Sequence, residues 1–84
     1  MAKIFVEVNT PGNGKTYEFQ LDDHMTVARV KAKMIDEIVE AEDGNITLKP
    51  EKAMLCNKST RVLLKEQEML ITAGVKSGQV LILL

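Results

Sequence analysis

The one histidine, His24, directly follows Asp22 and Asp23, so three residues of metal-ligating type stand in consecutive positions. Imidazole and carboxylate donors bind divalent metals when their side chains converge on one point. Neighbouring side chains of an extended segment point apart, and no second histidine completes a set. The aspartates are read instead as favouring the positive end of a helix that follows. Cys56, the one cysteine, is a nucleophile by type alone. Sulfur attack needs a thiolate and a neighbouring base, and His24 is far from it in sequence. Gly12-Asn13-Gly14-Lys15-Thr16 carries the residue types of a phosphate-binding loop. That loop needs a Gly-x4-Gly-Lys spacing and a helix whose N-terminus receives the phosphate, whereas this segment joins two strand patterns. The sequence predicts no catalytic residue, no cofactor and no bound metal.

Charge and composition exclude further classes. Eleven basic and twelve acidic side chains leave a net charge of −1. Chain-wide attraction to nucleic acid or anionic lipid is therefore not expected. Phe5, Tyr17 and Phe19 are the only aromatic residues, too few to form a base-stacking platform. No apolar run approaches the ~20 residues of a membrane span. The N-terminal segment reaches Glu7 before the apolar region of a signal peptide could develop. A lone cysteine cannot form an internal disulfide, and the cytoplasm is the expected compartment. With 84 residues, 45% of them apolar, the chain reads as one domain spanning 1–84 that can bury about 63% of its unfolded surface.

The hydropathy pattern supplies the elements. Lys3 to Asn9 alternates with Ile4, Val6 and Val8 on one side, and Thr16 to Asp22 alternates with Tyr17, Phe19 and Leu21. The loop between them, with Asn13-Gly14 suited to positive φ, predicts a β-hairpin. From Thr26, a predicted N-cap, the period becomes helical: Val27, Val30, Met34, Ile38 and Ala41 form a stripe ending before Gly44, a predicted C′ residue. Ala53 to Asn57, Arg61 to Leu64 and Gln79 to Leu84 complete the order β-β-α-β-β-β, the last so apolar that it belongs in the middle of a sheet. One helix on one sheet is a two-layer α+β domain.

These residues resemble the ubiquitin family. Lys3-Ile4-Phe5-Val6 opens like ubiquitin's first strand, Gly14-Lys15-Thr16 sits at its first hairpin, and Thr26-Val27-Ala28-Arg29-Val30-Lys31-Ala32-Lys33-Met34 is similar to its helix start. The resemblance implies a β-grasp fold with a mixed sheet and one helix packed across it. Conjugated members and sulfur carriers end in Gly-Gly; here Gly78 is the last glycine. Size, element order and the Gly74-Val75-Lys76-Ser77-Gly78-Gln79-Val80-Leu81 stretch, with Lys76-Ser77-Gly78 as a turn, resemble the YukD/EsaB family. That implies a non-conjugating, non-catalytic accessory or regulatory factor on the cytoplasmic side of a bacterial type VII secretion system, binding proteins that include membrane-associated machinery. The alternatives are a modifier or sulfur carrier lacking its Gly-Gly tail, or a small subunit of a multicomponent enzyme.

Two surfaces are predicted to bind. If Ile4, Val6, Tyr17, Phe19, Met54, Val80 and Ile82 face the helix, Phe5, Leu55, Leu81 and Leu83 gather on the open face as an apolar partner-binding patch. Leu55 and Leu83 resemble members of ubiquitin's own patch. On the helix, Arg29, Lys31 and Lys33 crowd the N-terminal half, while Asp36, Glu37, Glu40, Glu42 and Asp43 crowd the C-terminal end, against the helix dipole. That acidic end is a candidate docking surface for a basic partner. A second stripe, Ala28, Ala32, Ile35 and Val39, either widens the core-facing side or supports weak self-association. Neither nucleic acid nor direct membrane insertion is expected.

Overall fold

Alternation in the first 22 residues produces two long strands, β1 (Lys3–Thr10) and β2 (Lys15–Asp22), paired antiparallel from Lys3↔Asp22 to Thr10↔Lys15. The computed structural model describes residues 3–84; Met1 and Ala2, part of the predicted 1–84 domain, lie outside the described residues. The hairpin turns at Gly14, whose φ of 69° a side-chain-bearing residue rarely adopts. There the amides of Asn13 and Gly14 donate to the Thr10 carbonyl.

Helix α1 covers Val27–Ala41, fifteen residues, starting directly after the predicted N-cap Thr26 and ending before Gly44. Its first three amides are all satisfied: Arg29 N–H by the Thr26 hydroxyl, Val27 and Ala28 N–H by the carbonyls of Glu68 and Glu66. A loop some forty residues away therefore closes the helix start. It is held in place by Leu70 N–H to Met25 C=O and Ile71 N–H to Asp23 C=O. At the other end Asp43 N–H reaches Glu40 C=O and Gly44 N–H reaches Val39 C=O, a Schellman termination. The left-handed backbone begins at Asp43 (φ 53°), one residue before the Gly44 the sequence designates.

The remaining strands are short: β3 (Leu55–Asn57), β4 (Val62–Leu63) and β5 (Val80–Leu83). The sheet order is β2-β1-β5-β3-β4, with β5 in the centre and parallel to β1, and α1 crosses one face. This is the mixed-sheet β-grasp arrangement that the sequence implies. Val27, Val30, Met34 and Ile38 are buried as expected, but Ala41 is exposed. Ile35 is buried and Val39 partly so, which spends most of the second helical stripe on the core.

The face assignment of the C-terminal strands is the main correction. Leu55, Leu81 and Leu83 are buried under the helix at 2%, 0% and 3% exposure, not gathered on the open face. Register decides this. Gly78 N–H donates to Phe5 C=O and Glu7 N–H to Gln79 C=O, which sets Val8 beside Leu81. Residues paired across strands share a face, and Val8 is fully buried. Leu55 then follows Leu83, its partner across β3. Met54, Val80 and Ile82, expected inside, point outward, and Cys56 lies on the same side.

Lys31 is a second departure. It is 5% exposed and sits in the core stripe between Val27 and Ile35, apart from the exposed Arg29 and Lys33 with which the sequence groups it. Its ammonium donates to the Ala53 carbonyl at 2.9 Å and pairs with the Glu66 carboxylate. Asn57 is also fully buried, with both ends of its amide used: Nδ2 donates to Gln79 Oε1, and Oδ1 accepts from Ser59 and Thr60 N–H. Among the described residues no helix is long and apolar enough to cross a membrane.

Candidate functional site

The open face of the sheet is divided. One cross-strand row runs Leu63–Cys56–Ile82–Asn9–Thr16, following the pairing of β4, β3, β5, β1 and β2. The β4-β3-β5 half of that row is apolar, and the β1-β2 half is polar, closed by a hydrogen bond from Thr16 to Asn9. Met54 and Leu84 extend the apolar half by one step, exchanging both backbone hydrogen bonds at 3.0 and 2.8 Å. Leu63, Leu84 and Met54 are exposed at 55%, 54% and 49%; Cys56, Val80 and Ile82 are half-buried. Of the predicted patch, only Phe5 is on this surface, 61% exposed. An apolar cluster thus exists, built from residues one step along the chain from those expected. Cys56 sits between Leu63 and Ile82, in an apolar row that contains no base.

Asp22, Asp23 and His24 are closer together than an extended segment would allow. Their donor atoms lie within 4.8 Å of one another, because the chain turns here: Met25 N–H donates to Asp22 C=O, and His24 N–H to Asp22 Oδ1. His24 Nδ1 lies 2.7 Å from Asp23 Oδ1. Asp22 Oδ1 thus serves the turn that leads into the helix, and Asp23 Oδ1 faces the His24 ring.

The acidic end of α1 is only partly available. Glu42 is engaged by Lys15 Nζ and, at 3.1 Å, by the Tyr17 hydroxyl, which itself accepts from Asn13 Nδ2. This network ties the first hairpin to the helix terminus and removes Glu42 from the predicted docking surface. Asp36, Glu37, Glu40 and Asp43 remain exposed. The hydrogen bond from Lys15, reinforced by Tyr17, holds the Glu42 carboxyl below its ordinary 4.5, and the same bond holds Lys15 above 10.5. A depressed carboxyl stabilises fully above its unfolded value and loses that stabilisation as pH falls through the folded one. A raised amine does so below its unfolded value, losing it as pH rises. The difference in thermal stability between the native chain and Glu42→Gln is therefore expected to be constant between pH 4.5 and 10.5 and to shrink outside that window. A difference unchanged at acid pH would show that the charge of Glu42 contributes nothing to stability.

Residues 5–83 match the family described as YukD of the WXG100 protein secretion system (Wss). No curated protein matches the chain. Among solved structures, the ubiquitin-like domain of Plasmodium falciparum Dsk2 is similar at 26% identity and a TM-score of 0.75, over 98% of this chain and 96% of that one. Caldiarchaeum subterraneum ubiquitin is similar at 22% identity and a TM-score of 0.72, over 98% and 91%. The ubiquitin-like domain of the Arabidopsis thaliana protein At2g32350 is similar at 21% and 0.76, over 100% and 78%. Similarity at these lower identities concerns the fold.

Proposed function

The chain belongs to the YukD family of the WXG100 protein secretion system, and on that premise we propose that it is a non-conjugating, non-catalytic ubiquitin-like module acting as a cytoplasmic accessory factor of the secretion apparatus. Its task is to bind a protein, and the occupant of its surface is a membrane-associated component of that machinery. One observation carries the reading: the apolar half-face of Leu63, Cys56, Ile82, Met54 and Leu84, on the side of the sheet that no helix covers. Contiguous exposed apolar surface of this kind marks interaction sites. The family supplies the setting, and ubiquitin-like domains generally work through protein–protein contacts.

The test is affinity capture from the native host with tagged protein, comparing the native chain with Leu63→Asp and Ile82→Asp. A membrane-anchored secretion component is expected with the native chain and lost at least tenfold with both variants, while their far-UV spectra remain native. Equal capture by the variants would remove the half-face from the reading. Covalent ladders or an adenylating enzyme would make the protein a modifier, and a co-purifying metabolic enzyme would make it an enzyme subunit. Asp36, Glu37, Glu40 and Asp43 stay available as a second contact, which steep weakening of capture with added salt would reveal.

A further inference from the structure

On the polar side of the same face, Glu7 and Glu18 stand directly opposite each other across β1 and β2. Glu7 N–H donates to Gln79 C=O at 3.1 Å, so the backbone groups of Glu7 point towards β5. The pair is therefore of the non-hydrogen-bonded kind, in which facing side chains come closest, with Cα atoms about 4.5 Å apart. Like charges so placed destabilise a sheet. Nothing offsets them: the ion pairs among the described residues are Lys15–Glu42, Lys31–Glu66 and His24 with Asp22 and Asp23. Lys3, the basic residue nearest along β1 on that face, pairs with neither.

Beside the two carboxylates lies a groove of about 290 Å³, walled by Phe5 and Val80 and left open by Gly78, which has no side chain. An exposed aromatic ring next to paired carboxylates suits one kind of group. A guanidinium is planar, stacks on an aromatic face and donates to two carboxylate acceptors at once, whereas an ammonium does so only as a point charge. Phosphate-bearing partners are repelled by the same two charges.

We propose that this groove receives an arginine side chain of the protein partner, stacked on Phe5 and hydrogen-bonded to Glu7 and Glu18. The proposal rests on the reading of the open face as a docking surface, and it makes the cross-strand repulsion a feature that binding relieves. Removing either charge then strengthens the free protein and weakens the complex.

The probe is N-acetyl-arginine methylamide, titrated into isotopically labelled protein and followed by amide chemical shifts. Shift changes centred on Phe5, Glu7, Glu18 and Val80 are expected, saturating with a Kd on the order of 1 mM. They should be absent with the neutral citrulline analogue, and lost in Phe5→Ala and in the Glu7→Gln/Glu18→Gln double variant. Each single Glu→Gln change should raise the folding equilibrium constant about two- to fivefold. Silence at these amides, equal response to citrulline, or equally tight binding of the lysine analogue overturns the proposal, as does loss of stability on neutralising either glutamate. Capture of a secretion component with the arginine probe silent would refute this inference alone. Arginine binding with no such capture would refute the proposed function alone.

Discussion

Leu83→Asp is expected to leave the chain unfolded, while Ile82→Asp, one residue away, leaves it folded. Leu83 is 3% exposed and paired with Leu55 beneath the helix. Replacing it forfeits about 1.5–3 kcal/mol of apolar burial. The introduced carboxylate must then either stay charged without a partner or take up a proton, adding roughly another 2 kcal/mol or more. A domain of this size is stable by about 4–13 kcal/mol, so the loss is comparable to the total. Ile82 projects from the opposite face into half-exposed surroundings, where an aspartate keeps its water. Circular dichroism and urea unfolding of the two variants decide it. A cooperative, native-like Leu83→Asp would mean that the register of β5 against β1 is wrong by one residue.

The second large effect belongs to Lys31. Lys31→Ala removes three buried methylenes and takes the donor from the Ala53 carbonyl, a loss of about 2–4 kcal/mol. Lys31→Met restores most of the volume and loses only the polar contacts, about 1–2 kcal/mol. Glu66→Gln should cost under ~1 kcal/mol, because Glu66 is 56% exposed and water replaces what the ammonium gave it. The expected order in urea midpoints is thus Lys31→Ala lowest, then Lys31→Met, then Glu66→Gln. If Glu66→Gln were as damaging as Lys31→Ala, the ion pair rather than the buried stem and the carbonyl contact would be the source of stability.

Both results turn on what alternation can reveal. In β1 and β2 one phase is apolar and the other polar except for Phe5, so Ile4, Val6, Val8, Phe19 and Leu21 identify themselves as core. In β5 the run Val80-Leu81-Ile82-Leu83-Leu84 is apolar in both phases, and Gln79 shares the phase of Leu81 and Leu83. Reading polarity outward from Gln79 puts the wrong leucines on the surface. Gln79 takes that phase because its side chain is bonded to the buried Asn57 and to Lys76 N–H. A useful signal lay in β3, where Met54 and Cys56 share phase with Lys58, an exposed lysine. Lys31 was legible from spacing: it lies four residues after Val27 and four before Ile35, one row of the helix. Its charge concealed a position its geometry defines. The turn at Asp22 to Met25 was less accessible, because the side chain of Asp22 and the backbone of Met25 create it together.

Partnering β1 with β5 has a consequence for synthesis. The amide of Phe5 and the hydroxyl of Ser77 that receives it are 72 residues apart, and the centre of the sheet is assembled only when both are present. At about 5–20 residues per second, a ribosome needs several seconds to pass from one to the other. During that interval the hairpin and helix have no third strand to cover Met34 and Ile38, and the helix start lacks the loop carbonyls that complete it. The nascent chain therefore waits with its apolar stripe uncovered. The sheet closes only late, once β5 has left the exit tunnel to pair with β1.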